Sequence, residues 1–134
     1  MPAPMTLFTV AQRAMSAQLV RMNSAASNLA NAGSVTGSEG DAYRPMRAVF
    51  AQELDQRTGL STVRVAGVHR TDAAPVKRHD PGNPLADAEG NVFEAPVDQN
   101  AEMVEMLESA RQYQNMVEAL QTAKQLMLET MRIK

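Results

Sequence analysis

Apolar residues recur every seven positions at both ends of the chain and lose that rhythm in between. Near the start, Phe8, Met15, Met22 and Leu29 share one register, and Ala11, Gln18, Ala25 and Ala32 share the adjoining one. This a/d spacing predicts a helix of about four heptads. It runs from about Thr6 to Ala32. Thr9 with Gln12 fits a capping box, Thr6 is an alternative start, and Gly33 suits the stop. Near the end, Met103, Met106, Ala110, Tyr113, Val117, Leu120, Lys124, Met127 and Met131 step by alternating threes and fours, with Lys124 the one polar member. That seam predicts a second helix from about Asp98, a fitting N-cap, to Ile133. The two helices make rods of roughly 40 and 54 Å.

Between them the pattern changes. All seven glycines fall between Gly33 and Gly90, and five of the seven prolines between Pro45 and Pro96. These residues break helices, one by excess freedom and the other by lacking an N–H. The stretches Met46–Leu54 and Thr62–Val68 carry β-prone residues, and Val92–Phe93 is a short third candidate. Gly33–Asp41 reads as a flexible loop. The expected fold is mainly α with a small β region. It divides into an N-terminal helix over 1–32, a loop and β region over 33–97, and a C-terminal helix over 98–134. The two helices are expected to pair as a coiled coil.

Both seams need cover, because a fully buried Met or Leu gains about 1.5–3 kcal/mol. A polar middle of this size cannot cover two long rods. Three arrangements remain open: the ends form a plain two-helix core, they are completed by other molecules, or one end stays disordered. Ala allows close helix approach, and Met adapts to several neighbours. Charge favours pairing of the ends. Residues 1–32 hold Arg13 and Arg21 and no acid, whereas 98–134 hold six acids and four bases.

Composition narrows the chemistry. The 134 residues include no Cys and no Trp, ten Met and a net charge of −2. Thiol chemistry and disulfides are therefore excluded. The mixed charge of the middle, where Arg44, Arg47, Arg64, Arg70, Lys77 and Arg78 alternate with acids, is no nucleic-acid stripe. No run of 18 apolar residues is present to span a bilayer, and no direct lipid contact is expected. The opening Met1-Pro2-Ala3-Pro4-Met5 has neither a basic nor an apolar signal region. His69 and His79 lie near Asp72 and Asp80 without a metal-ligand spacing. Glu102 and Glu105 are ordinary partners for a helix N-terminus. Ser109 lacks a nucleophile-elbow context, and no phosphate-binding glycine motif occurs. No catalytic residue, metal or cofactor is expected, and the chain does not read as an enzyme.

Ser27-Asn28-Leu29-Ala30-Asn31 resembles the motif that ends the first helix of flagellar axial proteins, the family of rod, hook and hook-associated subunits. Ser34-Val35-Thr36-Gly37 and Ala42-Tyr43-Arg44 continue the likeness, with Ala42 where many members carry Gly. The long loop, the run from Asp80 to Val92, and Val97-Asp98, Glu102-Met103, Ser109-Ala110-Arg111 and Tyr113-Gln114-Asn115 are most similar to the family's proximal-rod members. Asn91 replaces their usual aromatic. Met1–Pro4 reads as an extension, with Met5 at the family start.

The resemblance implies a structural subunit of the periplasmic rod, exported by the flagellar type III system and polymerised into a shaft that transmits torque. It implies terminal helices in an inner layer and the middle in an outer part. Partners would be other rod proteins, further copies of the chain, and the region of the inner-membrane ring and export apparatus. On this reading Phe8, Met15, Met22 and Leu29 meet Met106, Tyr113, Leu120 and Met127 within a subunit, and outer flanks meet neighbours. Asn28 and Asn31 either cap the helix end or contact adjacent subunits. A soluble coiled-coil adaptor, an export chaperone or another rod subunit are the competing readings.

Overall fold

The computed structural model describes residues 6–133. The expected extension at Met1–Pro4 and the start at Met5 lie outside the described residues. Helix α1 spans Leu7–Ala30. Strand β1 (Val35–Thr36) follows, then a 3-10 turn over Glu39–Asp41, β2 (Met46–Leu54), β3 (Ser61–Arg70), β4 (Val76–His79), β5 (Asn91–Glu94) and helix α2 (Gln99–Ile133). Thr6 caps α1, its hydroxyl accepting from the Thr9 amide at 3.2 Å, so the helix begins at the earlier of the two candidate starts. Asp98 caps α2 by accepting from the amides of Asn100 and Ala101.

The expectation of a mainly α chain with a small β region is corrected. Helix accounts for about 48% of the described residues and strand for 23%. β2 and β3 form a long antiparallel ribbon, with a register shift between Val49 and Phe50. A second sheet has the order β1-β5-β4, all antiparallel. β1, which lies in the expected loop over Gly33–Asp41, and β4 are short and polar. They exist because β5 offers them its two edges, and no local periodicity marks that. Gly33, in the left-handed region at φ 81°, turns the chain out of α1. The chain then enters β1, and the Ala95 amide donates to the Ser34 carbonyl at 3.0 Å. The exit of α1 and the entry of α2 are thereby held side by side.

The expected coiled coil is also corrected. α1 and α2 do pack together, but through small and polar residues. Ala17, Ser24, Ala25 and Asn28 are buried on α1, and Glu102 and Ser109 on α2. The buried stripe of α2 runs one residue ahead of the seam expected from Met103 and Ala110. Large side chains marked that seam, yet close approach selects the small ones, and the Ser109 hydroxyl is satisfied by donating to the Glu105 carbonyl of its own helix at 2.7 Å. The core is accordingly sparse in large side chains. Its buried apolar members are Ala11, Ala17, Ala25, Ala42, Val92 and Ala95.

Candidate assembly site

The motif at the end of α1 closes the molecule from within. Asn28 is fully buried. Its Nδ2 donates to the Met46 carbonyl at 3.0 Å, and its Oδ1 accepts from the Met46 amide at 2.8 Å. The side-chain amide therefore pairs with one residue of β2 as a neighbouring strand would. Asn28 Oδ1 also accepts from the Tyr43 hydroxyl at 2.8 Å, and Ser27 Oγ lies 2.9 Å from that same hydroxyl. The Arg70 guanidinium sits 5.1 Å above the Tyr43 ring, a cation–π contact. Asn31 ends the helix, its Nδ2 donating to the Ser27 carbonyl at 2.8 Å. Its φ of −103° is not left-handed, and Gly33 supplies that geometry instead. Leu29 is half-buried and Ala30 exposed.

Two ion pairs lie beside this clasp. Arg47 of β2 makes a bidentate pair with Glu102 of α2, whose side chain is 2% exposed. Arg21 of α1 donates from Nε to Glu105 of α2 at 2.7 Å. The hydrogen bond to Glu102 raises the Arg47 pKa above its ordinary value, against the lowering effect of burial. The hydrogen bond to Arg21 lowers the Glu105 pKa. Arg47 also lies close enough to Glu105 to favour its charged form. These four side chains tie α1, β2 and α2 together at one end. Sequence reasoning treated Glu102 and Glu105 as dipole partners. An acid at the very centre of a helix contact, seven residues before Ser109, was the signal available.

At the opposite end Arg13 of α1 pairs with Glu53 of β2 at 3.4 Å, and the two side chains are 40 and 42% exposed. The ribbon passes beneath the first half of α1 with an open groove of about 340 Å³ on one side, lined by Val10, Ala14, Phe50 and Thr62. A second groove of about 430 Å³, lined by Gln12, Arg13, Ser16 and Arg64, opens on the other. Val63 lines both. α1 has 24 residues and α2 has 35, so α2 outruns its partner. Every residue from Lys124 to Ile133 is exposed, Leu126, Met127, Leu128, Met131 and Ile133 among them.

The expected seam residues thus divide. Met15, Met22 and Leu29 on α1 and Met106, Tyr113, Val117 and Leu120 on α2 are half-buried. Phe8, Met103, Ala110, Met127 and Met131 are exposed. Among the described residues no group of acids and histidines is placed to hold a metal ion, and no helix is long and apolar enough to cross a membrane.

Comparison with known proteins gives this arrangement a context. Residues 8–37, which include α1 and the asparagine motif, match the family model described as flagella basal body rod protein. Residues 89–133, which include α2, match the C-terminal model of flagellar basal body rod FlgEFG proteins. The flagellar basal-body rod protein FlgC of Salmonella typhimurium is 44% identical over 133 residues, covering 98% of both chains. The chain belongs to the FlgC family. FlgC proteins of Yersinia enterocolitica and Agrobacterium fabrum are 45% and 34% identical over 131 and 124 residues, covering 96% and 90% of this chain. As a FlgC-family member the chain is a structural subunit of the flagellar basal-body rod, associates with other basal-body components, and is not an enzyme. The FlgC relatives span the β-containing middle, while the two family models meet only the ends. The framework that the two family models share is therefore the helix pair.

Proposed function

We propose that this subunit belongs to the proximal part of the rod, reaches it as an exported, largely unfolded chain, and there helps to transmit torque. Residues 1–32 and 98–134 would form the inner layer around the export channel, and 33–97 the outer part. The observation that carries the reading is the bare end of α2. Five large apolar side chains on a ten-residue helical overhang are costly to leave in water, and an apolar patch of that kind marks a contact with another protein. Neighbouring rod subunits, further copies of this chain and the inner-membrane ring region are the partners that would cover it. Exposed Phe8, Met103, Met127 and Met131 serve as contacts between subunits.

The test is electron microscopy of envelopes from a strain lacking the gene, beside the complemented strain. Inner rings without a complete rod, restored by the gene, are the expected result. Intact rods and hooks in the deletion strain would overturn the proposal.

A further inference from the structure

We propose that residues 1–5 fold back along α1 and close the groove between that helix and the β2–β3 ribbon, as a strap within the subunit. The inference goes beyond the rod reading and does not depend on it. The groove, of about 340 Å³, is walled by Val10 and Ala14 of α1, Phe50 and Ala51 of β2, and Thr62 and Val63 of β3. Among the described residues no charged side chain lines it. Thr62 is 5% exposed, and its hydroxyl has no hydrogen-bond partner among the described residues. A buried hydroxyl is ordinarily bonded. This one stands in the wall of an apolar groove, so its partner is a polar group carried in by whatever fills that groove.

The chain itself supplies a filler at the right place. Thr6 caps α1, which makes Met5 the residue before the cap and Val10 the fourth residue of the helix. Apolar residues at those two positions pack together as a hydrophobic staple, which sets how the chain enters the helix. Val10 is also a groove residue, so the staple directs Met5 into the groove. Ala14 lies one turn further along the same face. From Thr6 to Ala14 is about 12 Å along the helix. Five extended residues reach about 17 Å, enough to line the groove past Ala14.

Composition suits the segment to this groove. Met1-Pro2-Ala3-Pro4-Met5 has no charged side chain to desolvate. Its prolines carry no N–H, so the strap brings carbonyl oxygens with few donors to satisfy. One of those carbonyls accepts the Thr62 hydroxyl. Methionine is unbranched and adaptable, and fills an irregular apolar gap. The second groove, lined by Arg13, Glu53 and Arg64, offers an uncharged segment no such fit. Closing the first groove covers Phe50, 38% exposed, and adds a tie to the Arg13–Glu53 pair between α1 and the ribbon.

The test is made on the purified full chain by urea unfolding. Thr62→Val removes the hydroxyl and keeps the shape. With Met5 in place it should lower the folding constant about fivefold, the worth of one hydrogen bond. In a Met5→Asp background a charge holds the strap out of the groove, and the same substitution should lower the constant no further. Equal effects in the two backgrounds would overturn the proposal. A second readout uses the absence of cysteine. Ala3→Cys with Gln52→Cys, at a groove position, should form an internal disulfide on oxidation with diamide. Ala3→Cys with Lys77→Cys, on β4, should not. Disulfide-linked dimers in place of the internal bond would give the groove to a second copy and overturn the strap. So would equal yields of internal disulfide from the two pairs, or none from either.

Discussion

In its first three turns α2 meets Arg47 from β2 and Arg21 from α1, and buries Glu102 and Ser109. In its last ten described residues, Lys124 to Ile133, the same helix buries nothing. The first end is closed by directional bonds: bidentate guanidinium–carboxylate pairing, a side-chain amide bonded to both backbone groups of Met46, and a tyrosine hydroxyl shared by Ser27 and Asn28. The other end displays apolar surface with no bond to spend. Directional bonds fix a geometry within one molecule. Bare methionine and leucine adapt to whatever covers them. The contrast separates the part of the molecule that folds on its own account from the part that waits for neighbours.

The largest effect should come from Asn28→Ala. It leaves the Met46 amide and carbonyl without their side-chain partner and the Tyr43 hydroxyl with Ser27 alone, and stability should fall by about 3 kcal/mol. Urea unfolding of the purified chain measures this, and a loss under half that size would break the closed-end account. Gly37→Ala comes next. A Cβ there would sit 2.6 Å from the Leu85 carbonyl oxygen. The loop after β1 must then shift, at a cost of about 1–3 kcal/mol by overpacking. Glu102→Gln removes the charge from the buried pair but leaves Arg47 able to reach solvent, so about 1–2 kcal/mol is expected from the same measurement.

The smallest effect is pH-dependent. The Glu105 pKa is lowered in the folded chain from an ordinary 4.5. The stability its pairing contributes is therefore complete above that value and is lost as pH falls through the depressed one. Arg21→Gln should flatten this part of the acid limb of the stability curve. An unchanged acid limb would mean that the Arg21–Glu105 pair adds nothing measurable.

Much of the closed end was legible as places but not as bonds. The run Ser27 to Asn31 stood out, and so did Tyr43, yet nothing in the sequence says that Asn28 reaches Met46 across 18 positions. The helices and the β2–β3 ribbon were readable because periodicity and β-branched residues mark them locally. β1 was not, since it is stabilised only by pairing with β5. The helix contact was misread for a related reason. Heptads were assigned by the largest side chains, while the contact selected Ala17, Ser24 and Ser109, which permit close approach. The large residues passed over by that contact, above all Met127 and Met131, stand free at the open end. A seam too long for its partner was visible in the sequence, although the side of the helix it occupied was not.

The measurement that tests the central claim most directly is truncation of residues 124–134, read twice. If the overhang belongs to assembly and the clasp to folding, the purified truncated chain should unfold at the same urea concentration as the full chain. Cells relying on it should lack complete rods. Normal rods and swimming would contradict the assignment of the bare end to assembly. A loss of stability as large as that of Asn28→Ala would contradict the division of the molecule into a closed end and an open one.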